Sequence, residues 1–323
     1  MRVLITNDDG ISSDGFHALV RVFAAAHEVF AIAPSDDRSG SSAALTVRRD
    51  MDAQEAPEIV RLGAAAAYQL DGTPATCVIL GSSGLLVPRP DLVVSGVNPG
   101  PNLGYDIYLS GTVGAALIAT TLGIPGIAVS CLRDPSGRTW ETAARTALRV
   151  AELLAGPSRG DGAPGDRVPL VNINVPSQAP RSVTATTVAG CHVISQSVVE
   201  QARVPGETRR GLRLELRMTA PSRYEPGSDA WAFFSGDTSV TVLDRPGDRP
   251  SRTGAGARID LGRYLAQHLT ETRRAAPDHA ERRCAGTRPE SGQLPCVTLG
   301  ERRRSWRPWT RIWRSTWTAS RAF

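Results

Sequence analysis

The chain of 323 residues contains no lysine; all 37 basic side chains are arginine. That absence excludes the mechanisms that need a primary amine: a P-loop that clamps phosphates with Lys, a Schiff base, and a receiver-type phospho-acceptor site. Cysteines are few and odd in number. Cys77, Cys131, Cys191, Cys284 and Cys296 form no C-x-x-C pair, which speaks against a disulfide framework or a structural zinc site, and the first three read as buried thiols. No apolar run approaches the ~20 residues that a membrane helix needs. Acidic residues arrive by position 8, a pattern unlike a secretory leader. The expectation is a cytoplasmic protein that does not engage a membrane.

The net charge of +5 suggests nucleic-acid binding until its location is traced. Residues 275–323 hold ten Arg against four acidic side chains, which leaves the preceding 274 residues close to neutral. A basic face on a folded body is therefore not supported, and nucleic acid is not the expected partner. The same tail holds Trp306, Trp309, Trp313 and Trp317 among Arg, Pro and Ser. It reads as a disordered Arg/Trp-rich extension over 271–323, an amphipathic helix or a frameshifted end being the alternatives.

What is present is a run of strand-end loops rich in oxygen. Val3-Leu4-Ile5 is an apolar strand that opens at once into Asn7-Asp8-Asp9-Gly10. Two adjacent carboxylates at a strand end repel each other, and a divalent cation relieves that cost because hard cations prefer carboxylate oxygens. A plain turn is the competing reading. Phe16, Leu19, Val20 and Phe23 predict a helix over Gly15–Ala26, capped from Ser12, Ser13 or Asp14, and Val29–Ala33 predicts the next strand. The β-α-β order starts a parallel sheet, at whose carboxyl edge ligands bind. The second strand ends in a polar loop through Asp37, Arg38 and Ser39, where Ser39 could offer a hydroxyl to a metal or phosphate.

Short strands are predicted at Leu45–Val47, Ile59–Leu62 and Tyr68–Leu70, then a helix from Pro74 capped by Thr73 with Cys77, Val78 and Leu80 inward. Leu92–Val94 is a further apolar strand, followed by Asn98 and Asn102 in a Gly/Pro-stiffened loop. Asn98 has a carbonyl for a cation, Asn102 an amide for an anion. Ser110-Gly111-Thr112 opens a helix to about Leu122, with free N–H groups and two hydroxyls at its positive end, a phosphate cradle. Ile124–Ser130 and Leu170–Val175 read as strands, Thr139–Leu154 as a helix and Gly156–Gly165 as a loop. Val183–Val188 and Leu212–Met218 flank Pro205-Gly206 as a projecting β-hairpin arm suited to subunit contact. Asp229–Phe234 and Ser239–Leu243 read as strands, Ala257–Leu269 as a closing helix. The fold class is α/β, a Rossmann-like, mostly parallel sheet flanked by helices. One domain spans 1–270, its core about 1–180 and its arm and closing elements about 181–270.

A cation site beside an anion cradle suits a phosphate monoester with a divalent metal. The same residues resemble the SurE family. Asn7-Asp8-Asp9-Gly10, Ala33-Pro34 with Ser39-Gly40, Gly72-Thr73-Pro74, Ser95-Gly96-Val97-Asn98-Pro99-Gly100-Pro101-Asn102-Leu103-Gly104 and Ser110-Gly111-Thr112-Val113 carry the resemblance, over about residues 1–265. It implies a metal-dependent 5′/3′-nucleotidase that releases nucleoside and phosphate, with some members taking short polyphosphate. It implies one Mg²⁺ or Mn²⁺ per subunit on Asp8, Asp9, Ser39 and Asn98, and phosphate on Asn102, Ser110, Gly111 and Thr112. Asp8 and Asp9 are the catalytic candidates, Asp9 as the group that assists proton transfer. Family members form dimers or tetramers through an exchanged C-terminal segment, so a homodimer or homotetramer is implied. The chain departs from the family pattern at Ser13-Asp14-Gly15, Thr76 and Asp237-Thr238, none of them a proposed ligand. A nucleotide-binding module without turnover is the alternative function.

Overall fold

The first strand, β1 (Arg2–Thr6), is buried from Val3 onward on both faces, which places it inside a parallel sheet. Its side chains alternate. Leu4 enters one apolar layer and Val3 and Ile5 the other. Helix α1 (Asp14–Ala24) starts where Ser13 accepts a hydrogen bond from the Phe16 N–H, so Ser13 is the cap among the three candidates. Its face of Phe16, Leu19, Val20 and Phe23 is buried, and each such side chain contributes about 1.5–3 kcal/mol through burial.

The chain continues through β2 (Glu28–Pro34), β3 (Ala53–Glu55), α2 (Pro57–Val60), β4 (Ala66–Leu70), α3 (Pro74–Ser82), β5 (Leu92–Asn98), a 3₁₀ turn (Tyr105–Tyr108), α4 (Gly111–Thr121), β6 (Gly126–Cys131), α5 (Arg138–Ala155), β7 (Leu170–Val175), β8 (Val183–Thr186), β9 (Ile194–Glu200), β10 (Leu212–Met218), α6 (Asp229–Phe234) and β11 (Thr238–Val242). Nine strands form one sheet in the order β3-β4-β2-β1-β5-β6-β7-β11-β8. The stretch from β4 to β7 is parallel, whereas β3 and β11 run antiparallel to their neighbours β4 and β7. Helices α1 and α5 pack together over one face, α3 and α4 over the other. The computed structural model describes residues 1–134, 136–155, 168–200, 212–218, 224–244 and 261–270, all within one unit, Met1–Ala276. The Arg/Trp tail, the 156–165 loop and the Pro205-Gly206 turn lie outside them.

Several predicted elements differ. Ile59 and Val60 belong to the short helix α2, which Pro57 opens at a position where a missing N–H costs nothing. Leu45–Val47 forms no strand, and both Leu45 and Val47 are exposed. Asp229–Phe234 is a helix, because Ser228 accepts from the Trp231 N–H and starts a turn. The closing helix is described over 261–270. The strand opposite β10 is β9, in an antiparallel pair, while Val183–Thr186 joins the main sheet beside β11. No described helix is long and apolar enough to cross a membrane.

Candidate metal and phosphate site

Strand order fixes where the site forms. After β1 the chain moves to one side of it, through β2, and later to the other, through β5. The crevice between the ends of β1 and β5 is the place where an open α/β sheet receives ligands. Thr6 pairs with Ser95 across these strands, so Asn7, Asp8 and Asp9 leave the sheet beside the strand that ends in Asn98. Gly96 lets this happen. Its φ is +133°, and a Cβ there would meet the Val129 carbonyl at 2.2 Å.

Asp8 is 3% exposed. Its backbone carbonyl accepts from the Arg38 N–H at 2.7 Å, and its Oδ1 accepts from Thr112 Oγ1 at 2.5 Å. Gly111 packs against the same carboxylate. A Cβ there would lie 2.8 Å from Asp8 Oδ2 and 2.7 Å from Ser41 Oγ, so only glycine fits. The loop that carries Ser39 is tied to the α4 end as well, since Ser42 N–H donates to the Leu109 carbonyl and Ser42 Oγ to the Tyr108 carbonyl. The structure thus brings the Asp pair, the Ser39 loop and the start of α4 together.

Burial pushes the Asp8 carboxyl up to about 6, against the pull of the Thr112 hydrogen bond. Burial pushes Asp9 further, to about 8, with the charges of Asp8 and Asp37 adding to the shift. Asp9 Oδ2 is enclosed and has no hydrogen-bond partner among the described residues, nor has Asn7 Oδ1. Arg38 directs its guanidinium to Asp71 at 2.8 Å, and the pair has no cationic partner among the described residues. Buried carboxylates with an orphaned oxygen and no cationic side chain are the donor set a hard divalent cation fits. Among the described residues no three His, Cys, Asp or Glu side chains gather as a metal cage, so the remaining ligands would be amide, hydroxyl and water oxygens.

Asn98 donates its amide to the Gly100 carbonyl at 2.7 Å, which leaves the side-chain carbonyl as its ligating atom. Ser39 is exposed, and its N–H and Oγ both bond to Asp37 Oδ1, at 2.8 and 2.6 Å; a hydroxyl that donates keeps lone pairs for a cation. Ser110 Oγ accepts from the Val113 N–H at 3.1 Å and so caps α4.

Two phosphate candidates sit differently from expectation. Thr112 gives its hydroxyl to Asp8 rather than to an anion. Asn102 donates its amide to Ser130 Oγ at 2.8 Å, its N–H donates to Asn174 Oδ1 at 2.7 Å, and its carbonyl accepts from Asn172 and Asn174 at 2.9 and 3.1 Å. Both residues brace the site from inside. The supporting group that sequence reasoning missed is Asn172 with Asn174, fully buried on β7. Its signal was present, two Asn at alternate positions in an otherwise apolar strand. Asp229 was missed too. It is buried and accepts from the N–H groups of Gly104, Ala189 and Ala230 at 3.1, 2.9 and 2.7 Å, which holds the far end of the Asn102 loop.

A family model described as survival protein SurE matches residues 3–200. The chain belongs to the SurE family. "5′-nucleotidase SurE 1" of Thermus thermophilus is 39% identical over 245 residues, covering 75% of this chain and 91% of the relative. "5′-nucleotidase SurE" of Geotalea daltonii is 41% identical over 247 residues, covering 75% and 92%. Among solved structures, the SurE protein from Aquifex aeolicus superposes with a TM-score of 0.61 at 29% identity, covering 79% of this chain and 98% of that one. The SurE match therefore includes every strand-end loop that meets at the Asp pair.

Proposed function

We propose that this SurE-family protein is a metal-dependent phosphomonoesterase that hydrolyses nucleoside 5′-monophosphates to nucleoside and phosphate. The observation that carries this reading is the Asp8–Asp9 pair, Asp8 buried and Asp9 half-buried with its Oδ2 unpartnered, set against the first turn of α4. The substrate class is supported by the relatives, named 5′-nucleotidases.

Asp8, Asp9, Ser39 and Asn98 would hold one Mg²⁺ or Mn²⁺. Such an ion supplies charge for the phosphoryl oxygens and acidifies a water. The residues do the rest. Thr112 orients Asp8. Asp9 assists the transfer of the proton from the attacking water. Ser110 Oγ, which spends its lone pair on the helix cap, keeps its own proton to donate to a phosphoryl oxygen, and the Gly111 N–H has no partner inside the helix. Asn102, clamped by Ser130, Asn172 and Asn174, keeps the loop between Asn98 and α4 in place. Nucleoside 3′-monophosphates and short polyphosphate carry the same terminal phosphoryl group and are secondary substrates in this reading. The β9–β10 pair is the arm for a homodimer or homotetramer, and the protein acts in the cytoplasm.

Phosphate release from a panel of nucleoside monophosphates, with Mn²⁺, with Mg²⁺ and with chelator, tests this. Metal-dependent release with nucleoside as the co-product is expected. No release with either metal from folded protein counts against it.

A further inference from the structure

Between the Asn102 loop and Ser110 lies the single turn of 3₁₀ helix, Tyr105–Tyr108. Residues three apart eclipse one another in a 3₁₀ helix. Tyr105 and Tyr108 accordingly share a face, with ring centroids 6.4 Å apart and planes at 36°. Both are exposed, at 43% and 67%. In a chain with only 5% aromatic residues, two tyrosines left open side by side call for an occupant.

The backbone beneath the rings is held firmly. Asp106, between them, is buried, and its carboxylate accepts from the N–H groups of Val193 and Ile194, both at 2.8 Å. The Tyr105 N–H donates to the Cys191 carbonyl at 2.9 Å, and the Tyr108 carbonyl accepts from Ser42 Oγ at 2.8 Å. His192, 2.8 Å from Asp106 Oδ1, sets its ring edge-on to Tyr105, centroids 5.5 Å apart. The backbone beneath the rings is fixed before any ligand arrives, so less entropy is lost in covering them.

Their position selects the ligand. Tyr108 precedes Ser110 by two residues, so their Cα atoms are at most about 7.6 Å apart. Tyr108, though not Tyr105, also lines a cavity of about 710 Å³ with Ser42, Val113, Gly114 and Thr241, a volume that admits a base and its ribose. The rings thus neighbour, in the chain, the residues that open α4, where the phosphate would be held.

Resting on the phosphatase reading above, we propose that Tyr105 and Tyr108 form a stacking platform for the nucleobase and so set the preference for nucleotides over simple sugar phosphates. Stacking tolerates every base and favours the larger ring system, so purine nucleotides gain most.

The test compares kcat/KM for AMP, CMP and ribose 5-phosphate, which has no base, in the wild type, Tyr108→Leu, the Tyr105→Leu/Tyr108→Leu double variant and Tyr108→Phe. The AMP to ribose 5-phosphate ratio is expected to fall about five- to a hundredfold in the double variant, mainly through KM. A smaller fall is expected for CMP and near-retention in Tyr108→Phe. A ratio unaltered in the double variant overturns the platform, as does a Phe variant as poor as Leu. Should the wild type release no phosphate from any substrate, the phosphatase reading fails separately. The platform is then judged on the ratio of AMP to ribose 5-phosphate affinities measured by calorimetry on the same variants, where an unaltered ratio overturns it.

Discussion

Thr112 Oγ1 donates a 2.5 Å hydrogen bond to Asp8 Oδ1 across 104 residues of chain. That one contact joins the end of β1 to the start of α4, the element expected to supply charge with the element expected to supply N–H donors. It also fixes the carboxylate rotamer while Gly111 gives it room.

Thr112→Val keeps the branched shape and removes the donor. A buried carboxylate left without its partner costs about 1–3 kcal/mol. The variant is expected to lose stability by that amount in urea denaturation and about tenfold or more in kcat, with Thr112→Ser recovering most of both. A Val variant as active as the wild type would mean that Asp8 needs no orientation.

The two carboxyls make metal-free stability depend on pH. In the unfolded chain Asp8 and Asp9 ionise near 3.8; in the folded chain burial, with the charge of Asp37 on both and that of Asp8 on Asp9, holds their protons to about 6 and about 8. Folded pKa values above the unfolded ones give a contribution fully present below about pH 4 and lost as pH rises toward about 8. Chelated protein should melt progressively lower across that window, Asp9→Asn should flatten the decline, and Mn²⁺ should restore the wild type at the alkaline end. A wild-type decline identical to that of Asp9→Asn would contradict this.

Asp229 links the α6 turn to the loop that carries Asn102. Asp229→Ala leaves the N–H groups of Gly104, Ala189 and Ala230 unpaired, at a total cost of about 3 kcal/mol or more. The midpoint of urea unfolding measures the loss, and kcat is expected to fall with it because the Asn102 loop loses its anchor at Gly104. Unchanged stability would show that water replaces the carboxylate without penalty.

The site was legible where local chemistry dictates local structure. Asn7-Asp8-Asp9 behind an apolar strand, and Ser110-Gly111-Thr112 ahead of a small-residue helix, each fold as their own residues demand. Roles set by long-range partners were not legible. Nothing near Thr112 in sequence shows that Asp8 takes its hydroxyl, and nothing near Asn102 shows that Ser130, Asn172 and Asn174 enclose it. Asp229–Phe234 has the composition of a strand, and only the Ser228 cap and the burial of Asp229 make it a helix. The partner of β10 was misassigned because local sequence does not say which strand meets it; Val183–Thr186 is taken by β11, and Ile194–Glu200 pairs with β10.

The most direct measurement is phosphate release from AMP by wild type and Asp9→Asn as Mn²⁺ is titrated into chelator-treated protein, with metal binding followed in parallel by calorimetry. The account predicts release that rises with bound Mn²⁺ in the wild type. In Asp9→Asn it predicts metal affinity at least tenfold weaker and turnover reduced by a hundredfold or more, each on the order of 1.4 and 2.7 kcal/mol. Asp9→Asn protein that binds Mn²⁺ and releases phosphate like the wild type, or wild type that binds nucleotide and metal without ever releasing phosphate, would contradict it.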